Sequence, residues 1–304
     1  MASPVSVCAC VYILHACICN GYDNNKACKA MTSQPNNFLM IGCGNMGGAL
    51  LRGWRAAGAL HDYSEINVVK RSLPDAENTT SGVHYFTNLS DIPSTPSIVI
   101  LAVKPQQLDE VLIACKTQFG DAPIYLSIAA GKTIASMQSI LGVDAKIIRA
   151  MPNTPVQIGK GITGLATTKN ISVQVQQQIQ SLFAAVGMVV WIAESEMDAF
   201  TALAGSGPAY VFYFMECLAQ AAVSLGISEV DADKIARQMV YGAGALAVKS
   251  SDSLVMLREN VTSKGGTTEA ALNVLMQAGT LDAPIKAALE AAVKRAREMN
   301  ADSN

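Results

Sequence analysis

The chain has 304 residues, half of them apolar and 15% charged, with a net charge of −2. That length holds two domains and a sizeable core. The near-neutral balance leaves no electrostatic footprint for nucleic acid, and no apolar run reaches the roughly 18 residues that a membrane span needs.

Residues 1–36 stand apart in composition. Val5 to Cys19 is apolar but short, contains His15, and lacks the basic start of a secretory signal. The pairs Cys8/Cys10 and Cys17/Cys19 do not have the spacing of a zinc site. We expect residues 1–36 to be a disordered or misassigned extension, with Met31 as the alternative start. Cys43, Cys115 and Cys217 are isolated small apolar residues, a usage that suits a reducing compartment and therefore the cytoplasm. No cysteine–histidine cluster proposes a metal.

The first chemical signal is Phe38-Leu39-Met40-Ile41 followed by Gly42-Cys43-Gly44-Asn45-Met46-Gly47. An apolar strand, a G-x-G-x-x-G turn and a helix in that order form the dinucleotide fingerprint. Gly42 makes the tight turn, Gly44 admits the pyrophosphate, and Gly47 allows close helix packing. The helix is expected over Ala49 to Gly58 and a second strand over Ile66 to Lys70. Lys70, Arg71 and Ser72 stand where an NAD site would place an acidic residue for the ribose 2′-hydroxyl. Two cations and a hydroxyl favour a 2′-phosphate, hence NADP over NAD.

Further strands are expected at Val83–Phe86, Ser97–Val103, Ile124–Ile128, Ile147–Met151 and Met188–Ile192. The Ser97–Val103 run ends in Lys104-Pro105, at a strand end of the kind where doubly wound sheets bind ligands. Strands alternating with helices give an α/β fold whose residues 37–193 form a Rossmann-type doubly wound sheet.

From Glu194 onward strand patterns stop. Residues 194–304 read as an all-helical domain with helices over Ala209–Leu225, Asp231–Lys249 and Pro284–Met299, the first two apolar on most faces. Such helices need burial on most faces, which predicts a homodimer or higher homo-oligomer built through this domain.

Within it, Val261-Thr262-Ser263-Lys264-Gly265-Gly266-Thr267-Thr268 runs into an apolar helical stretch. A glycine turn entering a helix presents free N–H groups that favour an anion such as a carboxylate. Helix capping is the competing role for Thr267 and Thr268. A nicotinamide site plus a carboxylate site implies hydride transfer to a small acid. The chain's three histidines, His15, His61 and His84, all precede the helical domain, and Ala209–Leu225 has no lysine. A hydroxy-acid dehydrogenase would need such a base. A protonated imine already carries its proton, so a site that orients it and binds its nitrogen and carboxylate suffices. The inventory therefore points to an imine reductase.

At these residues the chain resembles pyrroline-5-carboxylate reductase, from about Phe38 to Arg297. The matching pieces are Ile41–Gly47, Ala102–Pro105, Arg149–Pro155, Gly205–Tyr210 and Val261–Thr268. The resemblance implies NADPH-dependent reduction of 1-pyrroline-5-carboxylate to L-proline, the last step of proline biosynthesis, with NADH as the alternative donor. It implies cofactor contacts at Gly42, Cys43, Gly44, Asn45, Met46, Gly47, Arg71, Ser72, Asn88, Ala102, Val103, Lys104, Pro105, Ala129, Ala130 and Asn260. Gly266, Thr267, Thr268 and Glu194 would face the substrate, with Thr268 hydrogen-bonded to the ring nitrogen. Lys264 and Met276 depart from the family pattern. Reduction of a different cyclic imine, or a non-catalytic NADP-binding oligomer, are the alternatives.

Overall fold

The computed structural model describes residues 37–73 and 82–301. The N-terminal head, with its cysteine pairs and the Met31 alternative start, lies outside the described residues. Strand β1 (Asn37–Ile41) is buried at every position. Its side chains alternate: Phe38 and Met40 enter one core, Leu39 and Ile41 the other. A strand apolar on both sides can be stable only as the middle of a sheet with a layer on each face.

The seven further strands are β2 (Glu65–Val69), β3 (His84–Phe86), β4 (Ile98–Leu101), β5 (Ile124–Ser127), β6 (Lys146–Pro152), β7 (Gly161–Thr167) and β8 (Gly187–Trp191). They form one sheet in the order β3-β2-β1-β4-β5-β6-β7-β8. Every pairing is parallel except β6 with β7. Helices α1 (Asn45–Ala56) and α4 (Val173–Ala184) cover the first face. There Phe38, Trp54, Tyr63 and Phe183 meet edge to face, with ring centroids 5.4–5.9 Å apart. Helices α2 (Pro105–Phe119) and α3 (Ile134–Leu141) cover the second face through Leu108, Leu112, Met137 and Leu141. The N-terminal part is thus a doubly wound α/β sheet.

Two elements depart from the expectations. Helix α1 begins at Asn45, inside the glycine loop, rather than at Ala49. Strand β7 lies outside the expected strands, because Gly161 and Gly164 weaken its strand pattern. Packing explains both glycines: a Cβ on Gly164 would sit 2.8 Å from the Phe200 ring, and one on Gly161 would sit 2.3 Å from a Val156 methyl.

After β8 the described chain is helical. Short α5 (Met197–Phe200) runs into a π-helical turn at Thr201–Gly205 and then into α6 (Gly207–Ser224), with Pro208 in its first turn. Next come α7 (Glu229–Lys249), α8 (Leu254–Asn260), α9 (Thr267–Leu275) and α10 (Asp282–Ala301). Helix α6 packs along α7, and α10 folds back onto α5 and the π turn, but among the described residues α8 and α9 have no substantial packing partner. Phe212, Tyr213, Tyr241 and Leu254 are each more than 60% exposed. A single chain leaves this half without most of the burial its composition calls for.

Candidate functional site

Strands β1 to β5 run parallel, so the segments that follow them all emerge at one edge of the sheet. That edge collects Gly42 after β1, Lys70 to Ser72 after β2, Asn88 after β3, Ala102 to Pro105 after β4, and Ala129-Ala130 after β5. The chain reverses its direction across the sheet between β1 and β4, which opens a crevice there.

The glycine loop is shaped for close approach. Gly42 has φ +85°, and a Cβ there would lie 2.6 Å from the Ala102 carbonyl oxygen. At Gly47 a Cβ would meet the Ala102 methyl at 3.0 Å, so α1 sits hard against β4. At Gly44 no atom lies within 4 Å of the Cβ position, which leaves the backbone open to a ligand. Gly44 is the N-cap of α1 and supplies no side-chain cap. The first intrahelical bond is donated by the Gly48 N–H to the Gly44 carbonyl at 2.8 Å. The N–H groups of Asn45, Met46 and Gly47 therefore point outward from a helix N-terminus, where they suit a diphosphate. The Cys43 thiol, in the same loop, has its pKa raised by burial, with the Lys70 and Arg52 charges pulling the other way.

Around this cradle, Arg71 and Ser72 are exposed just past β2. Asn88 is exposed at the N-cap of a short turn, its amide donating to Asp91 Oδ2 at 3.2 Å. Val103 reaches toward Gly42, Lys104 is the N-cap of α2 and Pro105 its first residue. Ala129 is buried and donates its N–H to Ser127 Oγ at 3.2 Å. Next to it, Gly131 has φ +74°, and a Cβ there would lie 3.0 Å from the Met299 Cβ. The end of α10 is thus packed against the loop after β5, held also by Asn300 donating to Asp198 Oδ1 at 2.8 Å.

The Arg149–Pro155 segment organises the junction between the sheet and the helices. Arg149 is 2% exposed, and its Nη1 donates to Glu194 Oε1 at 3.3 Å. The same oxygen accepts the Ile134 N–H, the first of α3, at 2.5 Å. Burial pulls the Arg149 pKa down, while the Glu194 charge and hydrogen bond push it back up. Asn153 accepts from the Ile162 N–H and donates to the Ala204 carbonyl, tying β7 and the π turn together. Glu194, expected to face the substrate, therefore has one carboxylate oxygen engaged in this junction. No spacing pattern in the sequence links Arg149 to Glu194, 45 residues apart.

The second part of the candidate site is the start of α9. Gly266 is its N-cap, with Thr267 and Thr268 in the first turn. Neither threonine is in the capping position, and among the described residues neither hydroxyl has a protein hydrogen bond. The Ala270 N–H donates to the Gly266 carbonyl at 3.2 Å, which leaves the Thr267, Thr268 and Glu269 amides outside the helical ladder. Glu269 Oε2 reaches back to accept the Gly265 N–H at 2.7 Å, fixing the turn. Asn260 ends α8 and is exposed. Among the described residues α8 and α9 have no substantial packing partner, so packing within a single chain does not hold Asn260, Gly266, Thr267 and Thr268 against the glycine loop.

Two family profiles match in tandem. Residues 37–131 match "NADP oxidoreductase coenzyme F420-dependent", and residues 194–299 match "Pyrroline-5-carboxylate reductase dimerisation". A pyrroline-5-carboxylate reductase from Pasteurella multocida (strain Pm70) is 34% identical over 271 residues, covering 88% of this chain and 98% of that protein. The solved structure of a pyrroline-5-carboxylate reductase from Coxiella burnetii is 35% identical with a TM-score of 0.78, covering 88% and 99% of the two chains. That of the Plasmodium falciparum pyrroline carboxylate reductase with NADP bound is 28% identical with a TM-score of 0.77, covering 88% and 100%.

Proposed function

We propose that this chain, which belongs to the pyrroline-5-carboxylate reductase family, reduces 1-pyrroline-5-carboxylate to L-proline with NADPH, the last step of proline biosynthesis in the cytoplasm. The observation that carries the reading is the start of α9: three amides outside the helical ladder and an unpartnered Thr268 hydroxyl, in a chain whose other glycine loop fits a dinucleotide. Bound NADPH supplies the hydride, which adds to the carbon of the C=N bond.

The chain's residues do the remaining work. The Asn45, Met46 and Gly47 amides hold the diphosphate, with Gly42, Cys43 and Gly44 forming the turn beneath it. Arg71 and Ser72 hold the 2′-phosphate, and Asn88 closes that side. Ala102, Val103, Lys104, Pro105, Ala129 and Ala130 line the ribose and nicotinamide, and Asn260 contacts the cofactor from the helical half. The Gly266 N–H donates to the Ser263 carbonyl at 3.0 Å, so the carboxylate expected at Gly266 is held instead by the Thr267 and Thr268 amides of the turn that Gly266 opens, and Thr268 Oγ1 accepts a hydrogen bond from the protonated ring nitrogen. The imine enters with its proton, so no side chain need deliver one. Glu194 contributes on the substrate side through its remaining carboxylate oxygen and by orienting Arg149.

This arrangement requires assembly. The exposed apolar faces of α6 to α9 support a homodimer or higher homo-oligomer, in which a second copy packs on these helices and brings an α9 start to a glycine loop. The test is NADPH oxidation with 1-pyrroline-5-carboxylate, run on wild type and Thr268→Ala. The variant should lose roughly 10²-fold in kcat/KM with little change in NADPH affinity, as expected when a transition-state contact is removed. Unchanged kcat/KM would sink the role of Thr268. Faster reduction of a six-membered cyclic imine would reassign the substrate, and absence of any turnover would favour a binding-only oligomer.

A further inference from the structure

The corner where β2 ends beside the first turns of α1 holds more positive charge than the Arg71–Ser72 pair alone. Arg52 stands one turn beyond Gly48 on α1, and helical side chains slant back toward the N-terminus. Its Nη1 lies 3.1 Å from the point where a Gly48 side chain would begin, and Cys43 Sγ lies 3.7 Å from the same point. The bare Gly48 backbone is what lets the guanidinium lie back along the helix, beside the second residue of the glycine loop. Lys70 follows Val69, whose carbonyl accepts the Gly42 N–H at 2.8 Å, so the end of β2 lies beside the glycine loop, and the Lys70 and Arg52 charges both lower the Cys43 pKa.

Among the described residues none of Arg52, Lys70 and Arg71 has an acidic partner. The acid of β2, Glu65, instead accepts from Ser94 Oγ at 3.1 Å. The end of the second strand is where this fold reads the ribose 2′ position. Three cations without an acidic partner among the described residues suit a phosphate monoester, which carries up to two charges and offers several acceptor oxygens, better than a hydroxyl.

We propose that Arg52 is a specificity residue for the 2′-phosphate of NADPH, donating to it from α1 opposite Lys70 and Arg71. The proposal rests on the NADPH reading above and adds a residue that the glycine pattern does not mark. The diphosphate is common to NADPH and NADH, so a guanidinium aimed at it would serve both equally. One aimed at the 2′-phosphate serves only the first.

Dissociation constants for NADPH and NADH, measured by nicotinamide fluorescence on wild type, Arg52→Ala and Arg52→Lys, separate these cases. Thermal melts check that each variant is folded. Arg52→Ala should lower the NADPH/NADH affinity ratio about tenfold, or ~1.4 kcal/mol, and lessen the salt dependence of NADPH binding. Arg52→Lys, which keeps the charge without the fork, should recover part of that ratio. A wild type that prefers NADPH together with an Arg52→Ala ratio within twofold of it would overturn the proposal alone. Equal weakening of both nucleotides would overturn it by placing Arg52 on a part that they share. A wild type without preference for NADPH would bring down the cofactor reading as well.

Discussion

Replacing Glu194 tests whether its carboxylate serves the fold or the substrate. Arg149 is 2% exposed and Glu194 32% exposed, and the pair is joined at 3.3 Å. Arg149 Nε is buried without a hydrogen-bond partner, and the guanidinium's charge is compensated chiefly by Glu194, with a smaller contribution from Asp198. Glu194→Ala removes that partner and also frees the first N–H of α3. Stranding a fully buried cation costs about 3–5 kcal/mol. Glu194 is a third exposed and water can enter the gap, so about 2–3 kcal/mol is the better expectation here. For a chain of this size that lowers Tm by about 3–5 °C. Glu194→Gln keeps an acceptor for the Ile134 N–H and should lose about half as much. Differential scanning calorimetry at fixed protein concentration reads the shift, and KM for the imine is measured on the same samples below the transition. Unchanged Tm in both variants, with KM raised about tenfold, would refute the structural reasoning and return Glu194 wholly to the substrate.

Three further outcomes follow from the same geometry. Gly42→Ala forces a side chain onto φ +85° and within 2.6 Å of the Ala102 carbonyl oxygen, so NADPH binding by calorimetry should fall at least tenfold (~1.4 kcal/mol); near wild-type affinity would contradict the tight-turn role. Phe212→Asp puts a charge on a surface that is 61% exposed in the single chain, and sedimentation should show a smaller species that binds NADPH but has lost turnover. A fully active monomer would refute the requirement for assembly. The Cys43 pKa is raised above its ordinary value of 9.0, so the thiolate becomes scarcer at neutral pH. Iodoacetamide labelling of Cys43, followed by peptide mass spectrometry, should be slow at neutral pH, rise through alkaline pH, and be blocked by NADPH. Rapid labelling that is flat with pH would show the burial argument to be wrong.

Local chemistry made much of this protein readable in advance. The glycine loop needs only a strand, a turn and a helix in succession, so Gly42 to Gly47 could be recognised from residue order. The strands β1 and β4 to β6 announced themselves as apolar runs, because a parallel strand is buried on both faces. The helical half and its need for a partner followed from helices apolar on most sides. Strand β7 escaped because its glycines weaken the strand pattern and are justified only by Phe200 and Val156, which pack against it from elsewhere in the chain.

What tertiary structure alone decided is which distant groups meet. Glu194 accepts from Arg149 and Ile134, Asn153 ties β7 to the π turn, Met299 covers Gly131, and Arg52 folds back to Gly48 and Cys43. Except for the last, each joins residues on separate elements, and no periodicity in a single sequence encodes such a pairing. The two glycine loops make the same point. Each is visible in the sequence as a helix start suited to an anion, because amides and glycines act locally. Bringing the Thr268 turn to the Gly42 turn is a matter of packing, and among the described residues of a single chain α8 and α9 lack the substantial packing to do it.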